Sequence, residues 1–198
     1  MKRCTLIIPD AGPFNSLWVA DRLDLLLKLD MKLVVVDAVY DELTSDLSYP
    51  KDREVKSFID GNRPPFVIDN TEYGQFVRGK RAAGEKVKPG AGETAISEFM
   101  RSEDGLRKYL SPQEPVLLLY GDKDVRVINK PPYLHLLSTV GMLRGMERVG
   151  LVTSADDIIY EMTHPTKQGR RPKEDARSFK DLPEGHDEPA VIGSTWIP

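Results

Sequence analysis

The sequence predicts an α/β fold in which a short parallel sheet lies between layers of helices, a three-layer α/β/α sandwich. Two observations predict it. Short, almost continuously apolar runs rich in Val, Ile and Leu recur along the first 120 residues (TLIIP, KLVVV, FVIDN, PVLLLY). Amphipathic segments separate them, and that alternation is the signature of βαβ units with helices on both faces of a parallel sheet.

Residues 4–9 (CTLIIP) read as a buried strand. Pro9 lacks an N–H for the ladder and belongs at its end. Residues 15–29 place apolar side chains at 17, 18, 25, 26 and 29, a helical stripe. KLVVV (32–36) is a second strand, feeding a helical turn over 37–46. A short polar helix is expected over 51–61, a third strand over 66–70 and a helix over 71–83. After the loop 84–92, a longer helix is expected from Glu93 to Leu110, then a fourth strand over 115–120 and a short helix over 121–130. Residues 134–149 read as one amphipathic segment, GLVT (150–153) as a final edge strand and 154–162 as a helix capped by Ser154.

The 198 residues carry a net charge of −3, which argues against a protein that coats DNA through a broadly basic surface. One cysteine, Cys4, excludes an internal disulfide and a multi-cysteine zinc site. No apolar run approaches the ~20 residues needed to span a bilayer. The first apolar run is too short for a secretory leader, so a cytoplasmic location is expected. From His164 the chain becomes rich in Pro and charge, with six basic and six acidic residues. The organisation read here is a folded domain over 1–163 and an extended or disordered polar arm over 164–198.

Ligands of open parallel sheets gather outside the carboxyl ends of the strands. Asp10 directly follows the first strand, Asp122 lies just beyond the fourth, and Asp124 comes two residues later. Helical geometry of about 100° per residue adds two acids. In the turn after Val36, the residues Val36, Val39 and Leu43 share a side. Glu42 lies on their shoulder, and Asp41 faces water. In the helix after the Gly-rich loop, Glu93 shares a face with Ile96 and Met100, while Glu98 points away. Asp10, Glu42, Glu93 and Asp122 thus converge from four segments. Each has a bland reading as a cap or a solvated helix residue. Together, such like charges would raise one another's pKa, and a hard divalent cation, Mg²⁺ or Mn²⁺, relieves that conflict through oxygen ligands.

In order and spacing, the blocks IPDAGPFNSL, VVVDAVYDEL, GAGETAISEF and LLLYGDKDVRVI, with LLSTVGMLRGMERVGLVTSADDIIYEM, resemble the PIN-domain ribonucleases, a family that includes the toxins of type II toxin–antitoxin pairs. The resemblance covers residues 4–163. It implies a PIN-like fold and an acid-lined site that binds one or two Mg²⁺ or Mn²⁺ ions and cleaves RNA. By motif, Asp10, Glu42, Glu93 and Asp122 take the catalytic positions, with Asp10, Glu93, Asp122 and Asp124 as metal ligands. Ser138 and Thr139 fall near a hydroxyl position beside the site. A homodimer and an antitoxin protein are the partners it implies. Tyr120–Gly121, where the family often has Thr followed by a polar residue, and Pro9 before the first acid depart from the pattern without removing a charge.

Local cations would grip phosphate: Lys86 and Lys88 in the loop before Glu93, and Lys123 and Arg126 around Asp122, with Arg78, Lys80 and Arg81 nearby. Tyr40, Tyr73 and Tyr120 are candidates for stacking on single-stranded bases. His135, His164 and His186 show no ligand spacing, and no G-x-S-x-G or Walker motif occurs. The alternative is a catalytically silent PIN scaffold that binds RNA or a protein partner; a phosphatase or receiver domain is disfavoured because Asp10 stands alone after strand one.

Overall fold

A computed structural model describes residues 4–121, 132–165 and 169–170. Its centre is a five-stranded, all-parallel sheet in the order β3-β2-β1-β4-β5, made of β1 (Leu6–Pro9), β2 (Lys32–Val36), β3 (Phe66–Asp69), β4 (Val116–Tyr120) and β5 (Leu134–Ser138). Helices flank this sheet, an arrangement consistent with a three-layer α/β/α sandwich. Leu33–Val36 and Val116–Tyr120 are all completely buried, because a parallel sheet covered on both faces leaves no side of these strands in water.

The chain leaves β1 toward β2 and β3, then crosses back to place β4 on the other side of β1. The order therefore reverses between β1 and β4, the point where open parallel sheets form a crevice at their carboxyl ends. The two strands are in register through Ile7–Leu117 and Ile8–Leu118, and the Asp10 N–H extends the ladder by donating to Leu119 O at 2.8 Å.

Helices α1 (Ala11–Val19), α2 (Asp37–Leu43), α3 (Pro50–Gly61), α4 (Glu72–Ala82), α5 (Ala91–Arg101), α6 (Thr139–Arg148) and α7 (Ala155–Thr163) complete the described fold. Helix α5 packs on both α2 and α4, and α1 packs on α2, α3 and α7. Thr71 caps α4 by accepting the Gly74 N–H, and Ser154 caps α7 by accepting the Asp157 N–H. Among the described residues, no helix is long and apolar enough to cross a membrane.

Several boundaries differ from the sequence reading. The first helix starts at Ala11, with Pro13 tolerated in its first turn, where N–H groups lack intrahelical partners. It stops before Asp21, whose φ of 59° is left-handed, and Leu23–Leu29 continue as a 3₁₀ segment. The expected helix from Glu93 to Leu110 ends at Arg101. At Gly105 a Cβ would lie 2.4 Å from Phe99 O, so the chain folds tightly back on the helix. Residues 134–149 are a strand followed by a helix rather than one amphipathic segment, and LHLLS pairs with β4 as the sheet's edge. GLVT is a turn rather than an edge strand; that edge is already taken by β5. The short helix expected over 121–130 lies almost entirely outside the described residues, as do Asp122, Lys123, Asp124 and Arg126 of the predicted site.

Candidate functional site

The carboxyl end of the sheet collects an acid from each of its first three strands. Asp10 follows β1, Asp37 follows β2, and Asp69 ends β3. All three are buried, with relative exposures of 5%, 0% and 5%. Their surroundings differ completely.

Asp37 is surrounded by donors. Its Oδ1 accepts the Thr71 hydroxyl at 2.8 Å and the Thr71 N–H at 3.2 Å, and its Oδ2 accepts Gln75 Nε2 at 2.9 Å. Arg78 stands 3.8 Å away. Asp69 accepts Lys108 Nζ at 3.0 Å and the Tyr109 hydroxyl at 2.7 Å. Burial, together with this bond to Asp69, pushes the Tyr109 phenol well above its ordinary range. Both carboxylates tie secondary elements together, and the sequence reading overlooked both, although "VVVD" and "FVID" place an acid at each strand end.

Asp10 has no such complement. It occupies the N-cap position of α1, yet its side chain makes no capping hydrogen bond. No salt bridge reaches it among the described residues. Burial pushes its carboxyl up to about 7. The negative charges of Glu93 and Glu42 act in the same direction, opposed by the nearby N–H dipoles of Ala11 and Gly12.

Glu93 comes from the first turn of α5, half-buried, on the face expected from its spacing with the buried Ile96 and Met100. Glu42 lies near the end of α2 and is exposed. Between them, Gly92 leaves a space. A Cβ there would lie 3.8 Å from Asp10 Oδ1, 3.6 Å from Glu42 Oε2 and 3.1 Å from Val39 Cγ2. The bare Cα thus keeps open a cradle bounded by two carboxylates. Gly90, the N-cap of α5, has a φ of 85°, a left-handed conformation that favours glycine.

A second glycine pair sets the crevice width. A Cβ on Gly12 would stand 2.7 Å from Gly121 Cα, and one on Gly121 would stand 2.8 Å from Gly12 Cα. The backbone leaving β4 therefore touches the start of α1, and any larger side chain at either position would separate them. Gly121 belongs to the Tyr120–Gly121 pair that departs from the PIN-type pattern the sequence resembles, and it immediately precedes Asp122.

The oxygen-only, all-acid character of Asp10, Glu42 and Glu93, and the open cradle at Gly92, suit a hard divalent cation rather than a soft metal. Among the described residues, no three carboxylate, imidazole or thiol groups converge into a ready-made cation cage. Asp10, Glu42 and Glu93 are neighbours rather than a closed ligand set.

The other predicted residues fall as follows. Lys86 and Lys88 are exposed on the loop that joins α4 to α5. Ser138 and Thr139 lie at the end of β5, beside β4. Ser138 Oγ caps α6 by accepting the Gly141 N–H at 2.9 Å, and the Thr139 hydroxyl donates to Tyr120 O at 3.2 Å. Both are fully buried and serve this strand–helix junction. Arg78 forms a two-point ion pair with Asp41 at 2.6 and 2.8 Å, so Asp41 bridges α2 to α4 instead of facing water, and its hydrogen bonds hold the Arg78 guanidinium above its ordinary range. Tyr120 is completely buried and cannot stack on a base. Tyr40 is half-buried, with its hydroxyl bonded to Asp60. Glu98 accepts the Glu72 and Tyr73 N–H groups and so caps α4. No protein-family model matches the chain, and no curated protein or solved structure is recognisably similar to it.

Proposed function

We propose that the chain is a Mg²⁺- or Mn²⁺-dependent ribonuclease of the PIN type that hydrolyses RNA phosphodiester bonds. The observation that carries this reading is the buried Asp10 carboxylate at the reversal point of the sheet, set among Glu93 and Glu42 with no cationic side chain paired to it among the described residues. A buried acid placed among acids is unfavourable on its own and becomes useful when it holds a positive ion.

In this reading Asp10, Glu93 and Asp122 hold the ion, with Asp124 and Glu42 at its margin. When bound, a divalent ion supplies Lewis acidity that activates water and neutralises the charge developing on the phosphate. The chain's own part is positional. The Asp10 backbone is fixed by its bond to Leu119 O, so its carboxylate sits on a rigid strand end. Glu93 rides on the first turn of α5, and Gly92 preserves the room beside it. Lys86 and Lys88, exposed on the preceding loop, supply cations for the phosphate backbone of RNA. A toxin role with an antitoxin partner, a homodimer and a cytoplasmic location rest on the sequence resemblance and composition.

Incubating a structured RNA pool with the full chain and Mg²⁺ or Mn²⁺ tests the reading. Metal-dependent cutting that EDTA and Asp10→Asn both abolish supports it; cutting that survives Asp10→Asn rules out this site. A silent RNA-binding scaffold is the second reading, favoured by the exposure of Glu42 and the lack of a closed ligand cage among the described residues. RNA bound but uncut under every metal would select it.

A further inference from the structure

Beyond α7, Arg170 returns to the surface formed by α1 and α3. Its Nη1 donates to Trp18 O at 2.8 Å and to Asp21 Oδ1 at 2.5 Å, and its Nη2 donates to Glu54 Oε2 at 2.8 Å. The guanidinium carbon lies 4.8 Å from the Trp18 ring centroid. The Trp18 indole N–H donates to the same Glu54 oxygen at 2.8 Å, which orients both ring and carboxylate. Only 16% of the Arg170 side chain is exposed, while Asp21 and Glu54 are 62% and 48% exposed. The cation is thus seated more deeply than its acids, unlike an ordinary surface pair.

We propose that Trp18, Asp21 and Glu54 form a guanidinium receptor, which holds Arg170 of the same chain and fastens the start of the C-terminal arm to α1 and α3. The chemistry selects arginine. The planar fork reaches three acceptors with two nitrogens while its face lies on the indole, a combination that an ammonium group cannot reproduce. Two of the acceptors come from the end of α1. Trp18 O carries the partial negative charge of a helix C-terminus, and Asp21 takes a left-handed φ of 59° just beyond it. Sequence periodicity puts Trp18 on the apolar stripe of the first helix; its half-buried ring packs against the core and also supports the arm's arginine.

The receptor stands apart from the acid crevice and its test does not depend on nuclease activity. The full chain would carry Trp196→Phe, leaving Trp18 as its one indole. Two readouts apply: the Trp18 indole N–H resonance, and the rate of tryptic cleavage after Arg170, whose side chain must leave the receptor to enter the protease. Asp21→Asn with Glu54→Gln, both at exposed positions, is expected to speed that cleavage by about 10-fold, because proteolysis follows the population of the open form. Arg170→Lys is expected to move the Trp18 resonance as far as Arg170→Ala does. Equal cleavage rates in parent and acid-neutralised chains, or a lysine that leaves the Trp18 resonance in place, would overturn the proposal.

Discussion

Asp37 and Asp10 follow neighbouring strands of one sheet, are both buried, and have opposite environments. Asp37 is met by Thr71, Gln75 and Arg78, whereas Asp10 is met by Glu93 and Glu42. Each faces a glycine, for different reasons. At Gly74 a Cβ would fall 2.0 Å from Asp37 Oδ1, so that glycine lets α4 rest directly on the carboxylate. At Gly92 a Cβ would stand 3.8 Å from Asp10, so that glycine keeps a space open. A buried acid supplied with donors is part of the framework; under the proposed function, the one left among like charges is where a cation is held.

The largest expected effect separates the two acids by activity. Under the proposed function, Asp10→Asn lowers metal-dependent RNA cleavage by about 1,000-fold or more, measured as the initial rate on a labelled RNA. Its urea midpoint does not fall, since the change removes an uncompensated buried charge. Next in size, Asp37→Ala lowers stability by about 3 kcal/mol, read from urea unfolding, because Thr71 and Gln75 lose a charged acceptor inside the protein. An Asp37→Ala chain as stable as the parent would break the comparison.

A pH series sharpens it further. The Asp10 carboxyl titrates near 7 in the folded chain, against an ordinary value of 3.8. Between these values the folded state binds the extra proton, so stability is greatest at the acid end and falls as pH rises toward 7. In EDTA, the melting temperature is expected to contain a component that declines from pH 5 to pH 8 and disappears in Asp10→Asn. Mn²⁺ added at pH 8 is expected to restore it, and an Asp10→Asn profile identical to the parent's would contradict the assignment. The smallest effect concerns the cradle. Gly92→Ala is expected to cost about 1 kcal/mol, since the new methyl crowds Val39, while cleavage falls about 10-fold because the space beside Asp10 is filled.

Much of this was legible without coordinates. Continuous Val, Ile and Leu runs marked buried parallel strands at β1, β2 and β4, and Ser154 marked its helix start. Periodicity also put Glu93 on the inward face of α5 and Glu98 on the other. It failed at LHLLS, where a strand runs straight into a helix and the two periods merge into one apolar stretch. It also failed at Asp41, because the partner that takes it out of water, Arg78, lies 37 residues away.

What the sequence determined by itself is local: which segments are apolar enough to be buried, where helices begin, and that acids cluster near strand ends. Only the tertiary structure decided which of those acids are neutralised. That depends on groups delivered from distant segments: Thr71 and Gln75 to Asp37, Lys108 and Tyr109 to Asp69, and, among the described residues, the carboxylates of Glu93 and Glu42 to Asp10. The glycine contacts follow the same rule. Gly12 and Gly121 are 109 positions apart and meet because strand order, which no local pattern encodes, places β4 beside β1.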